Sequence, residues 1–285
     1  MRWKGRRGSA NIEDRRTRRG AAGAGVQLGG VGLLAVLAIG YFLGVDVTPL
    51  LEGGAGVSGT PGESVELTEA DRQAGEFVSV TLADTEEVWT QIFREEYGRN
   101  YQPATLVLFK GVTQSPCGGA SGATGPFYCP GDKKAYLDTA FFTTLSQKLG
   151  ANGDFAAAYV VAHEIAHHVQ DELGILGQAN KARAQVSQAE SNAISVRIEL
   201  QADCLSGVWA RHADARFGSL ERGDLNEALN AARQIGDDTL QRNAGRVPQP
   251  HTFSHGTSEQ RKRWFQTGFD SGKAGSCDTF NAPRL

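Results

Sequence analysis

Two histidines four residues apart, with a glutamate directly after the first, stand in the segment YVVAHEIAHHVQ at positions 159–170. On an α-helix, residues four apart lie on one face about 6 Å along the axis. His163 and His167 can therefore both reach one tetrahedral Zn²⁺, while Glu164, one position round, can hold a water beside that metal and accept its proton. The rest of the segment is apolar (Phe155, Tyr159, Val160, Val161, Ile165, Val169). Two imidazoles and a carboxylate in such surroundings need partners to offset desolvation, and one metal ion partners both imidazoles at once.

A catalytic zinc needs a third protein ligand and one open position. A third histidine further along the same segment is ruled out, because Gln170 and Leu173 stand where that longer signature requires Gly and His. Downstream, RIELQADCLSGVW at 197–209 places Glu199 and Asp203 four apart, bordering an apolar stripe of Ile194, Ile198, Ala202 and Leu205. One carboxylate can bind zinc while the other orients a ligand imidazole and raises its basicity. Glu199 is taken as the ligand and Asp203 as the orienter, although either suits zinc. His168 points about 140° round the helix from His163, which makes it a supporting or surface residue. His212 lies more than two turns beyond Asp203 and away from the metal. His251 and His255 sit in the loop PQPHTFSHGTSEQR before a final helix that Thr257 or Ser258 would cap, and His255 is a candidate to stabilise an oxyanion.

The elements that must position these groups are mostly helices. Segments 68–82 and 84–97 each open on a capping residue, Thr68 or Asp84, with Asp71 or Glu87 at the capping-box offset. Segment 104–110 (ATLVLFK) is a strand and 134–137 a shorter one. Segments 139–149, 154–173 and 191–213 then read as helices, stopped near Gly150, Gly174 and Gly218. The residues 134–138, just before the metal helix, are the expected edge strand on which a substrate backbone would lie. The expected class is α+β: mainly helical, with a small β-sheet beside the active-site helix.

A composition of 40% hydrophobic and 21% charged residues in 285 excludes a wholly disordered, collagenous or coiled-coil chain. Eight basic side chains fall within residues 1–20, leaving 21 basic and 30 acidic residues beyond. So acidic a body is poor material for binding nucleic acid. Residues 21–45 carry no charge and contain the run VGLLAVLAIGYFLGV, long enough as a helix to cross the roughly 30 Å hydrocarbon core. The expected layout is a basic cytoplasmic N-terminus (1–25), a transmembrane signal anchor (26–45), a Gly/Ser/Pro-rich linker (46–66) and one compact domain (67–285). The positive-inside rule then puts that domain outside the cytoplasm, on the periplasmic or cell-surface side of a single-pass membrane protein. The four cysteines agree with an oxidising compartment; Cys117 and Cys129 close a short loop and are paired, leaving Cys204 with Cys277. A zinc-bound Cys204 acting as a latency switch is a further possibility, since it adjoins Asp203.

With these residues in hand, the chain resembles the putative neutral zinc metallopeptidase family of bacterial membrane-anchored proteins. The likeness is carried by MRWKGRR and NIEDRR at the start, the apolar anchor, GPFYCPGDKKAYLD, HEIAHHVQ, ELQADC and HGTSEQR. The resemblance implies a zincin-like fold with His163, His167 and Glu199 on one zinc ion per chain and Glu164 as catalytic base. The expected activity is hydrolysis of peptide bonds in a peptide or protein substrate by a metal-activated water. The alternative is a non-catalytic, zinc-stapled binding or assembly module.

Overall fold

The structure, a computed structural model, describes residues 1–17, 66–121 and 125–285. Its first long helix, α1 (Glu69–Tyr97), opens on the Thr68/Asp71 capping box and closes on Gly98 in the left-handed conformation. It is one helix where the sequence pattern predicts two. Asp84 caps nothing: it is buried mid-helix, and Arg6 from the N-terminal segment takes its carboxylate in a two-pronged pair at 2.8 and 2.5 Å.

A four-stranded sheet follows, in the spatial order β1-β2-β6-β5. β1 (Ile12–Asp14) and β6 (Lys134–Asp138) run parallel to the central β2 (Thr105–Phe109), and β5 (Phe127–Cys129) is antiparallel to β6. A separate hairpin of β3 (Val112–Ser115) and β4 (Gly118–Ser121) lies beside it. The remaining chain is helical: α2 (Phe141–Gln147), α3 (Asp154–Glu172), α4 (Ile175–Arg183), α5 (Gln188–Phe217), α6 (Asp224–Gln234), α7 (Asp237–Asn243) and α8 (Ser258–Ser271). Ser187/Glu190 and Thr257/Gln260 form the capping boxes of α5 and α8. α3 is buried through most of its length between the sheet and α5, and one continuous core joins α1, β2, β6, α3, α5 and α8. The class is the mixed one expected, mainly helical with a small sheet next to α3.

α5 and α8 touch backbone to backbone. A Cβ at Gly268 would sit 1.8 Å from the Cys204 carbonyl oxygen, and one at Gly207 2.0 Å from that of Phe265, so only glycine permits the contact. The disulfide Cys204–Cys277 ties the same helix to the C-terminal turn, and Cys117–Cys129 joins the hairpin to β5.

The preceding transmembrane helix, and with it the single-pass location, is not supported. The expected span 26–45 lies outside the described residues, as does nearly all of the linker. Among the described residues no helix is long and apolar enough to cross a membrane. The N-terminal residues also do not behave as a detached cytoplasmic tail. Residues 12–14 are a strand of the sheet, Ser9 N–H donates to the Ser79 carbonyl, and Met1 packs in the core with its ammonium against Asp154 and Asp224. A segment that shares a sheet and a core with the domain cannot lie on the other side of a membrane from it. Four of the eight basic residues that read as a cytoplasmic signal are partnered within the fold: Arg6 with Asp84, Arg7 with Glu87, Arg15 with Glu13, and Arg16 with Asp14 and the Asp71 carbonyl.

Candidate metal centre

α3 delivers His163, Glu164 and His167 from one face, and α5, crossing it, delivers Glu199 and Asp203. Glu199 Oε2 lies 3.1 Å from His163 Nε2 and its Oε1 3.6 Å from His167 Nε2. One ligand atom from each of the three residues falls within 4.8 Å of the others. Bonds of about 2.0–2.1 Å from a tetrahedral zinc put neighbouring ligand atoms roughly 3.3–3.4 Å apart, so the two separations, one to each oxygen of Glu199, are of the size that a shared zinc requires.

Asp203 stands behind this trio, fully buried. Its Oδ1 is 3.1 Å from His163 Nδ1, off the line of a direct hydrogen bond. The same carboxylate accepts from the Tyr159 hydroxyl at 2.5 Å and from Arg261 Nε and Nη2 at 2.8 and 2.9 Å. Glu199 is thus the carboxylate between the two imidazoles and Asp203 the one behind. His167 is held from its other nitrogen: Nδ1 meets Gln170 Oε1 at 2.9 Å, and Gln170 donates to the Ile198 carbonyl and to Gln201.

The electrostatics call for a cation. Burial opposes a charge on His163, yet Asp203 and Glu199 together push its pKa up to about 10. Burial likewise opposes the charge on Glu199, but His167, through its field, and hydrogen bonds from both histidines hold that carboxyl well below its usual range. Two carboxylates that force a proton onto a buried imidazole form a donor set matched to a divalent metal. Glu164, by contrast, is raised by burial, the direction that suits a proton acceptor working near neutral pH.

His255 reaches the same cleft. Asp237 Oδ2 accepts the backbone N–H groups of Ser254, His255 and Gly256 at 2.8, 2.6 and 3.0 Å, and its Oδ1 lies 3.2 Å from His255 Nδ1. Nδ1 is thereby engaged, leaving Nε2 for the cleft. Burial works against the His255 charge, and Asp237 and Glu199 together outweigh it, raising the pKa. The cleft is about 540 Å³, lined by His163, Glu164, His167, Glu199 and His255.

Other expected residues lie elsewhere. His168 is neither a ligand nor on the surface: it is buried, with Nε2 2.6 Å from the Gln102 carbonyl and Nδ1 3.0 Å from the Tyr128 hydroxyl. His212 binds the Gly272 carbonyl at the end of α8. Cys204 is disulfide-bonded, and no cysteine among the described residues is free, so a Cys204 latency switch has no thiol to work with. The expected substrate strand β6 is paired on both sides, by β2 and β5, and has no open edge. The outer strand on that side of β6 is β5, and Phe127 and Tyr128 from it line the cleft.

The family described as putative neutral zinc metallopeptidase matches residues 1–280. The chain belongs to this family. Its relatives are bacterial. The uncharacterized protein YpfJ of Escherichia coli (strain K12) is 47% identical over 98% of this chain and 99% of its own length. Uncharacterized proteins of Mycobacterium bovis and Mycobacterium tuberculosis are 38% identical over 79% of this chain and 78% of theirs. No solved structure matches the chain. The family match begins at residue 1, so it takes in the N-terminal segment that packs on α1 and the sheet.

Sequence reading alone misses Tyr159, Gln170, Asp237 and Arg261. Two carried a signal: Tyr159 is one turn before His163 and Gln170 one turn after His167, so both share the ligand face. Asp237 and Arg261 carried none, because they reach the site only through the packing of α8 against α5 and of α7 against α8.

Proposed function

We propose that the protein is a zinc-dependent peptidase with one zinc per chain, held by His163 Nε2, His167 Nε2 and Glu199. The observation that carries this is the convergence of those three side chains on one point, with Glu164 on the same helix face lining the cleft. Bound zinc supplies Lewis-acid chemistry, polarising a scissile carbonyl and making a water acidic. Glu164 takes the proton from the attacking water on its carboxylate and delivers it to the leaving amine. His255, fixed by Asp237, donates from Nε2 to the oxygen that gains charge as the tetrahedral species forms. Asp203, held ionised by Arg261 and Tyr159, keeps the His163 ring turned so that Nε2 faces Glu199 and the metal. The outer edge of β5 is the place for an extended substrate backbone, which would add to the sheet as a further strand.

The test is metal content and proteolysis of the full chain and of Glu164→Gln, incubated with an unfolded protein mixture. Both are expected to hold one zinc, and only the parent to cleave, with at least a hundredfold loss in the variant. A Glu164→Gln chain as active as the parent overturns the assignment of the base. Zinc in both with cleavage in neither favours the structural module instead.

A further inference from the structure

The cleft is lined by unlike groups: Phe141, Leu149, Val160, Ile235 and Leu240 are apolar, whereas α4 contributes Arg183. A basic residue in the last turn of a helix is ordinarily satisfied by the helix dipole and by water. Arg183 instead turns towards α5, where Nε donates to Ser191 Oγ at 3.3 Å, while Nη1 donates to Asn180 Oδ1 of its own helix at 3.2 Å. Both acceptors are neutral. Among the described residues no carboxylate lies within ion-pair distance of Arg183, whereas Arg261, the other cleft arginine, is fully engaged by Asp203. Arg183 is half-buried, its guanidinium is pinned at two donors, and its remaining N–H groups and its charge stand unanswered at the cleft wall.

We propose that Arg183 determines specificity by binding a carboxylate of the substrate three or four residues from the scissile bond; the inference rests on the peptidase reading above. The spacing comes from α5. Ser191, Ser195, Ile198 and Glu199 fall within about 100° of arc on that helix, and the last three line the cleft, so one helix face runs from the metal ligand to the residue that anchors Arg183. Eight residues of helix rise about 12 Å. An extended peptide advances about 3.3–3.4 Å per residue, so it covers that distance in three or four residues. A guanidinium with two free edge donors is the group that matches a carboxylate in a forked pair. The carboxylate has two possible sources with the same chemistry: an Asp or Glu side chain, or the C-terminus of the peptide.

The experiment uses the zinc-loaded full chain and random dodecapeptide libraries in two forms, one with a free C-terminal carboxylate and one C-terminally amidated, with products read by mass spectrometry. A side-chain source gives cuts enriched for Asp or Glu three or four residues away in both libraries. A terminal source gives cuts three or four residues from the end of the free-acid library that vanish from the amidated one. For a matched peptide pair, carboxylate against amide, the parent is expected to prefer the carboxylate about tenfold in kcat/KM. The difference should reside mainly in KM and shrink with added salt. Arg183→Gln brings the ratio close to one and Arg183→Lys retains part of it. Cutting with no carboxylate preference, or a preference that survives Arg183→Gln, overturns this inference alone. A chain that binds zinc and cuts nothing in either library defeats the peptidase reading and takes this inference with it.

Discussion

Arg261→Met removes the cation from a buried triad and separates two roles that the site combines. Arg261 is 2% exposed and Asp203 0%, and their forked contact at 2.8 and 2.9 Å is completed by the Tyr159 hydroxyl, which lies 3.2 Å from Arg261 Nη2. Without the guanidinium, a buried carboxylate is left uncompensated, a change that costs about 3–5 kcal/mol. For a folded body of this size that corresponds to a fall of roughly 6–20 °C in Tm. The Asp203 carboxyl, held low by Arg261 against its burial, would then take up a proton and cease to orient His163. A disturbed partner behind a ligand imidazole lowers zinc affinity about 10–100-fold. The assay is thermal and urea denaturation in the presence of a chelator, together with zinc competition against a chromogenic ligand. The decisive comparison is the triple variant Arg261→Met, Asp203→Leu, Tyr159→Phe. Replacing a whole buried polar triad by apolar groups is often neutral in stability, so this chain should regain most of the lost Tm and none of the lost zinc affinity. A single variant that loses less than about 1 kcal/mol, or a triple variant no more stable than the single one, refutes the reasoning.

Asp84 gives a pH signature. Burial, only partly offset by Arg6, raises its pKa to about 6; a carboxyl raised on folding favours the fold when protonated, an advantage full below about pH 4 and lost as pH rises through 6. The stability of the parent relative to Asp84→Asn should therefore decline by on the order of 2–3 kcal/mol between those values and level off above them, as read by denaturation midpoints; a flat difference removes the claim. Gly268→Ala drives a methyl into the Cys204 carbonyl and must part α5 from α8, at a cost of about 1–3 kcal/mol. Because that contact also sets Arg261 over Asp203, zinc affinity should fall with Tm; a Tm within about 1 °C of the parent contradicts it.

How much was legible in the sequence depends on the range of the interaction that fixes each part. His163, Glu164 and His167 announce themselves because their relation is a helical repeat inside one element, and the class followed from periodicity and caps of the same range. Glu199 and Asp203 were legible as an i, i+4 pair and Glu199 was taken as the ligand, but spacing alone left the swap open, since their order behind the metal is set by how α5 crosses α3. Segment 68–97 divided wrongly because an Asp three residues before a Glu reads as a cap unless Arg6, seventy-eight positions away, is known to bind it. The N-terminus misled in the same way. Its arginines look like a membrane-topology signal when counted along the chain, yet Arg15 and Arg16 face Glu13 and Asp14 two positions away, and the carboxylates that take Arg6 and Arg7, Asp84 and Glu87, belong to the distant helix Glu69–Tyr97. Strand β6 was placed correctly but assigned the wrong use, because which strand is outermost is a property of the sheet and not of any strand's composition.

The charge balance of the cleft shows why these long-range partners matter to the chemistry. Four carboxylates, Glu164, Glu199, Asp203 and Asp237, are gathered around it, against Arg261 as the single arginine bonded to any of them. Such an excess of negative charge in a poorly solvated place repels itself unless cations enter. A divalent ion between His163, His167 and Glu199 would remove most of it, and a proton on His255, which Asp237 and Glu199 favour, would remove more. The division of labour among the carboxylates follows from which cation each one faces. Asp203 is committed to Arg261 and cannot act as a base, Asp237 is committed to three backbone amides and His255, and Glu199 lies between the two imidazoles. Only Glu164 has no hydrogen-bonded cation assigned to it, and it is the carboxyl whose proton affinity burial raises. Within the proposed reaction, that is what suits Glu164 to take a proton and give it back.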